Sequence, residues 1–262
     1  MTIHEYINED WRAILRHNQA ETFERLWQLD RKDWFEPPNR GRGGWSGVVR
    51  QEFSLPEGGK TGVFIKFQEN HVYRSWKNLF CLSATFEREF RNLQHYRSLG
   101  IPTQEPIYFG HRNINGDLRA ILVTRELEGY QAFDADCYSP ICKLDRTRRK
   151  RYFQSVATTL QQMHGCNLMH NGLYLKHIFV RENDDGSVDT RLIDLEKARW
   201  RPIKRLIAIR DFGSLHRHAS GWSRTDRLRL FLAYRQEARL GKESRKILGS
   251  ILGRKKSGSV GK

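Results

Sequence analysis

The chain has 262 residues, 38% of them hydrophobic, with seven Trp, nine Tyr and fourteen Phe, which is enough apolar mass for one large domain or two modest lobes and excludes wholesale disorder. Its formal net charge of +16 predicts an anionic partner: a phosphorylated or carboxylated substrate, an acidic membrane surface, or nucleic acid. The cysteines at 81, 137, 142 and 166 make no disulfide framework or zinc site, residues 1–20 are not a signal peptide, and nothing approaches the about 18 apolar residues of a membrane span, so a cytoplasmic protein is expected.

Residues 1–30 carry Trp11, Ile14, Leu15, Phe23, Leu26 and Trp27 at helical spacing and no evident chemistry. Pro37-Pro38-Asn39 interrupts that pattern and opens a glycine-rich loop, Gly41-Arg42-Gly43-Gly44-Trp45-Ser46-Gly47. A strand over 48–55, a turn at Pro56-Glu57-Gly58-Gly59 and a second strand over 62–67 follow. Glycines let backbone N–H groups approach phosphate oxygens, although hairpin turns without a ligand use glycine as freely. Gly59-Lys60-Thr61 is not a P-loop, because the first glycine of that motif falls on Ser54.

Lys66 lies in a strand that is apolar on both faces, and a buried ammonium needs a partner. The spacing predicts a helix over 84–99, stopped by Gly100 and Pro102, with Phe86, Phe90, Leu93 and Arg97 on one face. Glu89 lies nearer that stripe than Glu87 and is the better candidate to point at Lys66. Strands are expected over 103–110 and 118–127, ending in Glu126-Leu127-Glu128-Gly129 as a hinge between lobes.

An amphipathic helix is expected over 147–164, with Phe153, Val156, Ala157, Leu160 and Met163 on one face. Its basic start, 146–151, is unfavourable against the helix dipole, so those charges are expected to face an anionic ligand. Gly165 is expected to end the helix in a left-handed turn. A polar loop then places His170 and His177 just before the apolar run Ile178-Phe179-Val180. Asp185-Gly186 supplies a hairpin turn, and the returning strand carries Leu192 and Ile193 and delivers Asp194 at its end. Helix, polar loop, hairpin and acid are laid out as in a kinase catalytic loop followed by its metal-binding aspartate. Basic residues follow Asp194, then helical segments from about 211 and over 226–240, with Asp211 expected as a helix cap. The last 22 residues hold seven Lys or Arg against one Glu, and apolar Ile247, Leu248, Ile251 and Leu252, so weak attachment to anionic membranes is expected there.

Taken together, Lys66, Glu89, the 170–177 loop, Arg88-Glu89-Phe90-Arg91-Asn92-Leu93, Leu99-Gly100-Ile101-Pro102-Thr103, Lys176-His177-Ile178-Phe179 and Ile193-Asp194-Leu195-Glu196 resemble the lipopolysaccharide kinase family, and most closely its InaA-like branch, over roughly residues 40–235. The resemblance implies an α+β, protein-kinase-like fold: a small, mainly antiparallel β lobe with one helix, and a larger, mainly helical lobe. It divides the chain into an N-terminal segment (1–38), small lobe (39–128), large lobe (129–240) and basic tail (241–262). It implies ATP and magnesium as cofactors and a sugar hydroxyl, heptose or Kdo, of the lipopolysaccharide inner core as acceptor. The expected partners are that core or another acidic glycolipid and, peripherally, the anionic cytoplasmic face of the inner membrane, with no nucleic acid.

By position, the resemblance places Gly41, Gly43, Gly44 and Gly47 over the nucleotide phosphates, Lys66 on the α- and β-phosphates, Glu89 orienting Lys66, and Glu126 at the nucleotide-side hinge. It assigns magnesium to Asp194, with help from His177. One departure matters. Where kinases have His-Arg-Asp, this chain has His170-Asn171-Gly172, so no carboxylate stands in the base position. His170, Lys176 or a carboxylate from elsewhere are the candidate substitutes. The alternative is a pseudokinase-like regulator that binds nucleotide or glycolipid without strong catalysis.

Overall fold

A computed structural model describes residues 5–41, 43–75, 78–134, 144–219 and 221–253. Arg42, Cys137, Cys142, the side chain of Cys81 and residues 254–262 lie outside them. The architecture is α+β, in two compact units: residues 1–95 with 104–128, and residues 96–103 with 129–262.

The first unit is built on a six-stranded antiparallel sheet. In chain order its strands are β1 (Glu5–Ile7), β2 (Trp34–Gly41), β3 (Gly44–Ser54), β4 (Lys60–Glu69), β7 (Pro106–Ile114) and β8 (Asp117–Arg125). Their spatial order is β1-β7-β8-β4-β3-β2. A separate hairpin, β5 (Val72–Ser75) with β6 (Asn78–Ala84), leads into helix α3 (Thr85–Ser98). Residues 5–38, set apart at the sequence level, fold into this unit. The short helices α1 (Arg12–His17) and α2 (Phe23–Trp27) bring Trp11, Leu15, Phe23 and Leu26 into one core with Val49, Val63, Ile65, Phe67, Ile121 and Val123. Burying such side chains stabilises by about 1.5–3 kcal/mol each, so Trp11, Leu15, Phe23 and Leu26 belong to this unit's core. Phe90 of α3 stacks on Phe109 of β7 with ring centroids 4.8 Å apart.

Buried Gln68 on β4 sets the start of α3. Its side-chain oxygen accepts from the Phe86 N–H (2.9 Å) and the Thr85 hydroxyl (2.8 Å), and its amide donates to the His71 carbonyl (2.7 Å). A helix start leaves backbone donors without intrahelical partners, and Gln68 satisfies one of them from a neighbouring strand.

The second unit is mainly helical, with α4 (Arg146–Gly165), α5 (Lys204–His218), α6 (Arg224–Arg235) and α7 (Lys242–Leu252). Its small sheets are β12-β11-β9, formed by β9 (Gln131–Ala132), β11 (Ile178–Glu182) and β12 (Val188–Leu192), and the pair β10 (Leu168–Met169) with β13 (Arg199–Trp200). Phe153, Val156, Leu160 and Met163 of α4 are buried, as are Ile178, Val180, Leu192, Phe212 and Phe231.

Several local expectations need correction. Gly165 remains helical, and the left-handed residue is Asn167 (φ 61°), whose amide donates to the Arg201 and Pro202 carbonyls. At the basic start of α4, three of the arginines pair with carboxylates of their own chain. Asp145 caps the helix by accepting from the Thr147 and Arg148 N–H groups, Arg148 and Arg151 pair with Glu182, and Arg149 pairs with buried Asp226 at 3.1 Å. Asp211 is not a cap: it lies within α5 and is fully buried. Of the tail, residues 242–252 form α7, in which Ile247 and Ile251 are buried.

Candidate active site

In the first unit, Lys66 on β4 sits opposite Val48 of β3 and Leu122 of β8. Its ammonium meets the Glu89 carboxylate at 2.6 Å, with the Lys66 side chain 16% and the Glu89 side chain 2% exposed. Strand alternation brings Lys66 to the face that α3 covers, and Gln68, two residues on, fixes where α3 begins. The register therefore selects Glu89. Glu87 turns the other way and accepts from Arg91 one turn along the helix at 2.7 Å.

The glycine-rich segment is a tight hairpin between β2 and β3, with Gly41 ending one strand and Gly44 and Gly47 on the other. Gly43 takes the positive φ of the turn (85°), and a Cβ on Gly44 would collide with the Glu69 carbonyl. Hairpin geometry alone therefore accounts for glycine at these two positions. Glu126 is bound to Arg50 through two hydrogen bonds (2.9 and 2.8 Å), and its N–H donates to the Gly62 carbonyl. The structure thus ties Glu126 to the sheet.

In the second unit, buried Asp211 organises the polar loop. Its two oxygens accept from the His170 N–H (2.8 Å) and the Asn171 N–H (2.8 Å), and His164 Nε2 donates to it at 3.2 Å. His170 is fully buried, and its Nε2 donates to the Ile193 carbonyl at 3.0 Å. The imidazole thus pins backbone through Nε2, while its Nδ1 is buried, makes no hydrogen bond and lies 3.9 Å from where a Cβ on Gly172 would stand. Lys176 is exposed, beside buried His177.

The Ile193 backbone is held from two sides, by His170 Nε2 on its carbonyl and by its own N–H donating to the His177 carbonyl at 3.0 Å. Asp194 follows in a left-handed conformation (φ 56°, ψ 56°), as does Asn171 in the loop (φ 61°). Non-glycine residues held there store about 1–3 kcal/mol each, and such strain clusters at functional sites.

His177 Nδ1 donates to the Gly172 carbonyl at 2.8 Å, which leaves Nε2 3.2 Å from Asp194 Oδ2. Burial lowers the His177 pKa to about 4, against the opposing pull of Asp194, so the ring is neutral near pH 7. A lone pair on Nε2 and a carboxylate oxygen then stand side by side, an arrangement that suits a shared cation. Among the described residues no three His, Cys, Asp or Glu side chains cluster as a metal cage. Magnesium is usually bound by one or two carboxylates completed by substrate oxygens and water, which Asp194 fits, whereas the His177 nitrogen is the softer and less usual donor for that ion.

No carboxylate stands at position 172. A Cβ there would lie 3.8 Å from Lys197 Cδ and 3.9 Å from His170 Nδ1, ordinary contacts both. Sequence reasoning missed Asp211 as the anchor of the loop and Gln68 as the anchor of α3. The signal for Asp211 was a carboxylate inside the apolar run Ile207-Ala208-Ile209-Arg210-Asp211-Phe212, where only a strongly bonded acid is tolerated.

The sequence profile of the lipopolysaccharide kinase (Kdo/WaaP) family matches residues 24–234. Protein InaA of Escherichia coli (strain K12) is 29% identical over 194 residues, covering 73% of this chain and 86% of that protein. Among solved structures, WaaP in complex with acyl carrier protein aligns with a TM-score of 0.64 at 19% identity, covering 95% of this chain and 97% of the other. The fold is therefore protein-kinase-like.

Proposed function

Because the chain belongs to the lipopolysaccharide kinase (Kdo/WaaP) family, we propose that it transfers the γ-phosphoryl group of ATP to a heptose or Kdo hydroxyl of the lipopolysaccharide inner core. The observation that carries this reading is the His177–Asp194 pair, two convergent lone-pair donors on a strained and doubly held backbone. Asp194, with His177 beside it, would hold magnesium, and the ion would supply charge neutralisation to the transferring phosphates. Lys66, held by Glu89, binds the α- and β-phosphates, and the glycine hairpin covers the nucleotide. The net charge of +16 favours an acceptor that carries phosphates and acidic sugars.

The vacant base position shapes the mechanism. Phosphoryl transfer passes through a loose transition state, so positioning and charge dominate, and general-base help adds only about 10²–10⁴-fold. Exposed Lys176 and Lys197, near Gly172, place cations rather than a base along this loop. They suit the charge on the transferred group and leave the acceptor proton to solvent or to substrate. The same Gly172 favours a second reading, a nucleotide- or glycolipid-binding regulator with weak catalysis.

The deciding experiment is magnesium-dependent ATP turnover by purified protein, with and without core oligosaccharide, in wild type and Asp194→Asn. The kinase reading expects oligosaccharide-stimulated turnover that falls by orders of magnitude in the variant, with an unchanged melting temperature. ATP binding without turnover, indifferent to Asp194→Asn, rejects the metal assignment and leaves the regulator.

A further inference from the structure

Six large apolar side chains stand out as exposed among the described residues, and three of them fall within seven positions: Trp200 (60%), Ile203 (54%) and Leu206 (45%). Every residue from Arg199 to Leu206 is exposed. The stretch reads Arg199-Trp200-Arg201-Pro202-Ile203-Lys204-Arg205-Leu206: four cations, three large apolar groups and no acid. The next three residues, Ile207, Ala208 and Ile209, are buried, so the outward display ends abruptly where α5 enters the core.

The display is built rather than loose. Leu168 and Met169 of β10 pair with Trp200 and Arg199 of β13. The Arg201 N–H donates to the Asn167 carbonyl at 2.7 Å, and the Asn167 amide donates to the carbonyls of Arg201 and Pro202 at 2.8 and 3.0 Å. Ile203 caps α5, and its carbonyl accepts from the N–H groups of Leu206 and Ile207 at 3.0 and 3.2 Å. With its backbone held in this way, the segment cannot turn its apolar side chains inward without breaking those bonds. Glu243 of α7 pairs with Arg205 at 3.4 Å.

We propose that residues 199–206 form a membrane-docking surface that inserts Trp200, Ile203 and Leu206 into the headgroup–acyl boundary of a bilayer rich in anionic lipid. The chemistry of the surface selects that occupant. Trp favours the membrane–water boundary, where its ring is half apolar and its N–H can stay wet. Lys and Arg around the apolar group extend their charged ends to lipid phosphates while their stems lie along the chains. A nucleic acid would use the four cations but has no place for exposed Ile203 and Leu206. The tail is the weaker candidate, because Ile247 and Ile251 are committed to packing within the protein. The surface involves neither the Lys66 nor the Asp194 cluster, so it stands independently of the kinase reading.

The test is sedimentation of the full-length protein with vesicles of phosphatidylcholine alone or mixed with phosphatidylglycerol, without nucleotide. Wild type is expected to bind the mixed vesicles, weakly at high salt, and not the neutral ones. Combined Trp200→Ser, Ile203→Ser and Leu206→Ser is expected to weaken binding by more than about tenfold, since each side chain loses apolar burial. Replacing Arg201, Lys204 and Arg205 with Gln is expected to weaken it by about fivefold per residue. Because all these positions are exposed, the variants should melt with wild type, which a thermal scan checks. Wild type that ignores anionic vesicles overturns the proposal. So does binding that survives both sets of substitutions but is lost on Arg254→Gln, Lys255→Gln and Lys256→Gln. A triple Ser variant that binds vesicles normally but changes oligomeric mass also overturns it, and assigns the surface to a second copy of the chain.

Discussion

Asp211→Asn tests whether the polar loop is held by a charge inside α5. The carboxylate is fully buried and accepts three hydrogen bonds, from the N–H groups of His170 and Asn171 and from His164 Nε2. Asparagine keeps the shape but turns one acceptor oxygen into a donor. If the amide oxygen serves His170 and His164, the amide nitrogen faces the Asn171 N–H, donor against donor. A hydrogen bond to a charged group is worth about 1.5–3 kcal/mol, and a buried donor without a partner costs about 1–3 kcal/mol more. The expected loss is therefore about 3 kcal/mol, or roughly 6–12 °C in melting temperature for a protein of this size. Urea denaturation followed by far-UV circular dichroism measures the loss, and amide hydrogen exchange locates it. The His170 and Asn171 amides should exchange faster in the variant, while those of β4 and β8 should not. A variant within about 0.5 kcal/mol of wild type, a change expected of an ordinary surface site, would falsify the anchoring argument.

Glu89→Gln should weaken nucleotide binding and lower stability by a few kcal/mol, because it leaves the mostly buried Lys66 without its ionic partner; an equal or larger effect from Glu87→Gln in ATP titration and thermal melts sinks the pairing. Gly172→Asp is sterically admitted and gains Lys197 as a nearby cation, so turnover should rise by about 10²-fold, the low end of general-base help; a well-folded variant with unchanged or lower turnover shows that position 172 is not a vacant base site. The stability contributed by His177 has a definite sign: its pKa is lowered from 6.5 to about 4 by burial, so the contribution is complete above about pH 6.5 and is lost as pH falls toward about 4. His177→Asn should flatten the fall in melting temperature across that window, and an identical profile in the variant rejects it. Asp226→Asn removes the partner of Arg149 and Arg229 and should cost about 3 kcal/mol, read by urea denaturation, whereas a silent variant shows that the basic start of α4 does not depend on it.

Local rules carried the sequence a long way in this protein. An apolar run after the Pro56–Gly59 turn marked β4, helical periodicity marked α3, and Gly100 with Pro102 marked its end. The pairing of Lys66 with Glu89 was readable because a buried ammonium requires a partner and helix geometry admits one of the two nearby glutamates. The hairpin that delivers Asp194 was readable from Asp185-Gly186 between two apolar runs. What local rules could not supply were partners distant in the chain. Local preference makes an aspartate in a helical stretch a cap, and only packing reveals that Asp211 reaches back about forty residues to hold the His170 and Asn171 amides. The dipole rule made the start of α4 look unsatisfied, because Glu182 and Asp226 lie more than thirty residues away. Sequence offers His170 as a candidate base, and only packing shows that its Nε2 also clamps the Ile193 carbonyl. The same limit governs the apolar residues from Trp200 onward. Composition shows Trp200, Ile203, Leu206, Ile247 and Ile251 among basic neighbours and cannot say which face inward. Tertiary packing buried the two isoleucines of α7, which packs against α5, and left the first three outside, in the β13 strand and at the start of α5.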